Sequence, residues 1–97
     1  GQMPTLKNDS TKLVDGGIEA QTHQVMKNLL EVLDAAGSSL EKVIFARVYL
    51  VNFGDFDKMN KVYASYFEKD KLPARTCIGV TGLAVGASVE IDFIASC

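Results

Sequence analysis

Lys42-Val43-Ile44-Phe45-Ala46-Arg47-Val48-Tyr49-Leu50-Val51 is the stretch on which the fold turns. It is almost wholly apolar, rich in β-branched and aromatic residues, and reads as a strand. Side chains alternate across a strand, so Ile44, Ala46, Val48 and Leu50 are expected to face the helices. The other set, Val43, Phe45, Tyr49 and Val51, is interrupted only by Arg47 and is too apolar to lie bare in water. Either both faces are covered within one chain, or a second chain covers one of them. With two helices available, another subunit is the expectation.

Upstream, Ile18, Val25, Leu29, Val32, Leu33 and Ala36 recur at helical spacing, which predicts an amphipathic helix over 18–36. Glu19 suits its first turn, and Gly37 is a natural stop. Before it, residues 5–17 carry Asn8, Asp9, Ser10, Gly16 and Gly17, the turn formers of a loop or irregular hairpin, with a short strand at Lys12-Leu13-Val14. Downstream, Phe56, Met59, Tyr63 and Phe67 predict a second helix over 55–67, and their spacing reads as core. Pro73 then excludes helix and opens a strand over 74–80. After the loop 81–86, alternating Val89, Ile91 and Phe93 predict a last strand over 88–95.

A strand, a helix and a second strand in one sheet connect right-handedly as parallel neighbours, so strands 43–51 and 74–80 should lie side by side with both helices on one face. The last strand has two possible places: beside its predecessor, or on the far side of strand 43–51.

Composition bounds the function. Ninety-seven residues, 47% hydrophobic and 23% charged, describe one folded domain. The net charge of -2 and pI near 5.2 supply no basic field for a phosphate backbone, so nucleic acid is not an expected partner. No apolar run approaches membrane-spanning length, and a membrane partner is not expected either. Two cysteines without CxxC or HxxxH spacing suggest neither a disulfide framework nor a metal site. His23, the only histidine, sits among polar residues of the first helix and reads as a surface residue.

The chemistry gathers at Pro73-Ala74-Arg75-Thr76-Cys77. Arg75 and Cys77 share one face of their strand, and Glu90 and Asp92 lie opposite the apolar set of the last one. All four are expected to point away from the core, an arrangement that a plain solvated sheet face would also show. If the last strand lies on the far side of strand 43–51, Arg75 and Glu90 are two strands apart, roughly 10 Å, with room for a small molecule between them. Arginine matches a carboxylate through two parallel charge-assisted hydrogen bonds. A glutamate at that distance can hold a water or take its proton. A guanidinium beside Cys77 would favour its thiolate and make it a nucleophile; the competing reading is a small buried hydrophobe.

Gly1-Gln2, Ile18-Glu19-Ala20-Gln21-Thr22, Ala35-Ala36-Gly37-Ser38-Ser39, Val48-Tyr49-Leu50, Asn60-Lys61-Val62-Tyr63, Pro73-Ala74-Arg75-Thr76-Cys77 and Val89-Glu90-Ile91 together resemble the RidA (YjgF/UK114) family, the Pro-Ala-Arg-Thr-Cys segment being the most specific. The resemblance implies a chorismate-mutase-like α+β fold, a mixed sheet with two helices on one face, in a single domain over 1–97. It implies homotrimers with sites in the clefts between subunits. The implied activity is hydrolysis of reactive enamines and imines such as 2-aminoacrylate to 2-oxo acids and ammonia, with no metal or organic cofactor, in the cytoplasm or mitochondrial matrix. By position, Arg75 matches the arginine that binds the substrate carboxylate and Glu90 the acid that positions water. Cys77 matches a pocket cysteine, and Asn60 and Gly1 match positions that line the cleft. The family begins with a strand hairpin, and this sequence starts just after it, so an open sheet edge is expected.

Two other classes compete: a non-catalytic, regulatory trimer that binds small carboxylates through the same arginine, and a ribonuclease or translation inhibitor, activities linked to some members. Retained ligand binding without imine hydrolysis would mark the first. RNA cleavage lost with Arg75→Ala or Glu90→Ala would mark the second.

Overall fold

The computed structural model describes residues 2–6 and 9–96. Its elements run β1 (Thr5–Leu6), β2 (Asp9–Leu13), α1 (Gly17–Ala35), β3 (Val43–Leu50), α2 (Phe56–Ser65), β4 (Ala74–Gly79) and β5 (Val89–Ala95). β1 and β2 form a small antiparallel ribbon, so the turn-rich segment before α1 holds more strand than Lys12-Leu13-Val14 alone. The other three strands make one sheet in the order β4-β3-β5. β3 and β4 are parallel, as the crossover rule requires, whereas β5 takes the far side of β3 and runs antiparallel to it.

Both helices cover the same face. Ile18, Val25, Met26 and Leu29 of α1 and Met59 and Tyr63 of α2 close over Ala46, Val48 and Leu50 of β3 and Val89 and Ile91 of β5. The fold is therefore α+β with a mixed sheet and two helices on one side. Truncating a fully buried side chain here, such as Leu50→Ala, costs about 2–5 kcal/mol. Val32, part of the predicted stripe of α1, lies on its flank and is half exposed.

The helix ends follow their local chemistry. Gly37 takes a positive φ of 74°, and the turn closes with Ser38 N–H donating to Leu33 O (2.8 Å) and Gly37 N–H to Asp34 O (3.1 Å). A left-handed glycine is what this stop needs. α2 closes earlier than predicted, at Ser65, where Tyr66 and Phe67 donate to carbonyls three residues back.

Polar side chains within the fold are tied to the backbone. Thr22 Oγ1 donates to Ile18 O (2.7 Å), Gln21 Oε1 accepts from Ser88 N (2.9 Å), and Asn28 donates to the carbonyls of Met3 and Thr5. Gln2 pairs antiparallel with Ile91 on the outer edge of β5.

β3 departs from strict alternation. Val43 faces Ala95 but Phe45 faces Ile94, so Ile44 is an extra residue, a bulge. As a result Val43 turns inward (8% exposed) and Ile44 outward (61% exposed), the reverse of the expectation at these two positions. From Ala46 on, the expected alternation holds. Among the described residues no helix is long and apolar enough to cross a membrane.

Candidate functional site

Strand register decides which side each polar residue takes. Arg75 pairs with Ala46 and Cys77 with Val48, both of which lie under the helices, so Arg75 and Cys77 share a face and that face is the helix side. Glu90 pairs with Tyr49 and Asp92 with Arg47, on the other side. This corrects the expectation that all four turn away from the core. Within one chain Arg75 and Glu90 lie on opposite faces, offset by roughly 10 Å along the strands as well as roughly 10 Å across them. No small molecule bridges them there.

Arg75 stays near the core because α2 receives it. Phe56, Asn60 and Tyr63 stand at i, i+4 and i+7, one stripe of that helix. Arg75 Nη1 donates to Asn60 Oδ1. The guanidinium carbon lies 4.9 Å from the ring centroid of Tyr63 and 5.4 Å from that of Phe56. At these distances a cation is attracted by the ring faces. Among the described residues Arg75 makes no ion pair. A cavity of about 250 Å³ opens beside it, lined by Asn60, Tyr63, Ala64, Leu72, Pro73 and Arg75.

The neighbours are held neutral. Tyr63 is 1% exposed, and its hydroxyl has no hydrogen-bond partner among the described residues. Burial pushes its phenol up to about 12, against the pull of the Arg75 charge. Cys77 packs against the core, and burial pushes its thiol up, with Arg75 pulling less strongly the other way. The expectation of a thiolate favoured by the guanidinium is thereby corrected: desolvation outweighs the neighbouring charge.

The sheet face away from the helices carries three cross-strand rows: Ala74-Phe45-Ile94, Thr76-Arg47-Asp92 and Ile78-Tyr49-Glu90. Ile78 and Ile94 are exposed there. Arg47 Nε donates to Asp92 Oδ1 at 2.8 Å. Glu90 is half-buried, and its carboxylate has no hydrogen bond or ion pair among the described residues. His23 is exposed and pairs with the Tyr66 hydroxyl (2.9 Å), away from the lining of the cavity beside Arg75. Gly1 lies outside the described residues.

The structure thus brings together Arg75 and Asn60 at the cavity, keeps Cys77 on the same sheet face but outside the cavity lining, and leaves Glu90 on the other face. It adds Phe56 and Tyr63, whose spacing had suggested core alone. The signal that could have found them is a lone asparagine between two aromatics on a single helix stripe.

The family model described as Endoribonuclease L-PSP matches residues 1–97, the whole chain. The chain belongs to the RidA (YjgF/UK114) family. Protein HMF1 of Saccharomyces cerevisiae is 38% identical over 96 residues, a match covering 99% of this chain and 72% of that protein. The Rid-family protein YyfA of Yersinia pestis superposes with a TM-score of 0.94 at 37% identity, over 100% of this chain and 76% of its own. TdcF of E. coli, solved with bound serine, superposes with a TM-score of 0.86 at 28% identity, over 98% of this chain and 75% of its own. The family's names cover both Rid proteins and endoribonucleases.

Proposed function

We propose that the protein hydrolyses reactive enamines and imines, such as 2-aminoacrylate, to 2-oxo acids and ammonia. The observation that carries this reading is the Arg75 guanidinium, positioned by α2, free of any ion pair among the described residues, and set at a small cavity. Such a group is matched to a carboxylate. The serine bound by the related TdcF carries one.

In this reading Arg75 holds the substrate carboxylate, with Asn60 and Cys77 shaping the pocket. An enamine first tautomerises to the imine. Water then adds to the imine carbon, one of its protons passes to nitrogen, and the carbinolamine collapses to the 2-oxo acid and ammonia. Glu90 positions that water, takes its proton and hands it on to the nitrogen, which leaves the carboxylate as it began. Because Arg75 and Glu90 lie on opposite faces of one sheet, Glu90 reaches the cleft from a neighbouring copy. The apolar open face, with Phe45, Tyr49, Ile78 and Ile94, supplies the contact for a homotrimer.

The test is release of ammonia and pyruvate from 2-aminoacrylate generated in place by a dehydratase, with wild type beside Arg75→Ala. Acceleration by wild type that disappears in the variant is the expected result. Carboxylate binding with hydrolysis at background would instead make the same arginine a metabolite sensor. For the endoribonuclease name to describe this chain, RNA cleavage would have to vanish with Arg75→Ala.

A further inference from the structure

An arginine reaching from an edge strand has a long stem with several rotatable bonds and needs an anchor to point anywhere in particular. The usual anchor is a carboxylate, and the other face of the same sheet uses it: Arg47 lies 2.8 Å from Asp92. That arrangement fixes the guanidinium but also compensates its charge. Arg75 is anchored differently. An amide oxygen takes one N–H and two aromatic rings flank the group, and all three partners are uncharged. Two ionisable neighbours, Tyr63 and Cys77, are uncharged at neutral pH, and burial raises both further. Orientation and charge are thereby separated: the side chain is held, and its positive charge remains for whatever enters the cavity lined by Asn60 and Arg75.

We infer that Asn60 is a positioning residue that sets the selectivity of this site for anions: its neutral amide aims the Arg75 guanidinium at the cavity and leaves its charge to a ligand carboxylate, so that 2-oxo and 2-imino acids bind and their uncharged amides do not. This rests on the reading of Arg75 as the carboxylate anchor and goes beyond it by assigning the discrimination to a residue on α2. An aspartate at 60 has nearly the same shape and accepts the same hydrogen bond. It would also neutralise the cation, and an arriving carboxylate would meet one already in place.

The experiment is a calorimetric comparison of 2-oxobutanoate with 2-oxobutanamide on wild type, Asn60→Asp and Asn60→Ala, with thermal stability and 2-aminoacrylate hydrolysis followed in parallel. Wild type should prefer the acid by about tenfold or more, the size of one charge-assisted hydrogen bond. Asn60→Asp should melt like wild type and bring that preference to within about twofold. Asn60→Ala should weaken the acid more than the amide and so shrink the preference without abolishing it, because the charge is intact but no longer aimed. A wild type indifferent to the acid overturns the inference. So does an Asn60→Asp protein that keeps the wild-type preference, or an Asn60→Ala protein that binds both ligands as wild type does. Selective acid binding by a wild type that does not accelerate 2-aminoacrylate hydrolysis would sink the deaminase reading alone and leave the assignment to Asn60 standing.

Discussion

Arg47 and Arg75 lie on neighbouring strands of one sheet, one register position apart, and they are held in opposite ways. Arg47 emerges on the open face, where Asp92 of the adjacent strand meets it at 2.8 Å. Arg75 emerges on the helix face, where it meets an amide and two rings. The first guanidinium is compensated within the chain and adds little beyond local order. The second is half-buried beside a cavity and meets no carboxylate among the described residues, so its charge is left for an anion that enters there. The contrast separates an arginine that belongs to the architecture from one that is available for chemistry.

The sharpest way to break the contrast is Arg75→Ala. Imine hydrolysis should fall by about 100-fold or more, as expected for losing a paired, charge-assisted contact to the substrate. Thermal unfolding should change little, since the guanidinium borders a cavity rather than filling the core. A variant that melts far earlier while its residual activity follows only the folded fraction would make Arg75 structural, and the two arginines would then be alike.

Asp92→Asn tests the other half. If a second copy covers the open face, the Arg47–Asp92 pair is desolvated in the assembly, and removing the carboxylate strands a buried cation. Sedimentation should then show weakened self-association, with a loss of thermal stability that added salt does not recover. A slight loss that vanishes with salt would mean that the pair stays in water and that the face is open.

Alternation showed which residues share a face within a strand, and that much of the site was legible: Arg75 with Cys77, Glu90 with Asp92. It did not show how the faces of two strands match. Charge alone points to the solvent side, yet the Arg75 guanidinium lies over the rings of Phe56 and Tyr63 and donates to Asn60, so the polar group belongs to the covered face. The bulge at Ile44 was hidden for a related reason. Both faces of β3 are apolar, and a one-residue slip leaves no mark in a pattern without contrast. The helix stripes and the central strand were legible because in each of them hydrophobic period and length pointed to the same element. The place of β5 was not, since a loop of this length permits either edge.

Glu90→Gln sharpens the comparison from the side of the missing partner. Turnover should drop by about tenfold or more while 2-oxobutanoate binding is largely kept, because the amide can hold a water but cannot take its proton. Mixing this variant with Arg75→Ala should restore some activity if a site draws its arginine from one copy and its glutamate from another. Unchanged hydrolysis in Glu90→Gln would remove the residue from the reaction.

The smallest effect is expected at Cys77. It sits two residues from Arg75 on the same face, and charge alone would make it a thiolate. Burial has the larger say and raises the thiol above its ordinary 9.0. The folded protein therefore keeps this proton at a pH where the unfolded chain releases it. The linked contribution to stability is complete below pH 9 and fades as pH rises beyond it. At pH 7 alkylation should be slow, and Cys77→Ser should hold activity to within about threefold, the thiol acting as packing rather than as a nucleophile. Inactivation of the serine variant, together with rapid alkylation near neutrality, would show that the charge of Arg75 reaches the sulfur after all, and that the uncompensated arginine serves a covalent step as well as a carboxylate.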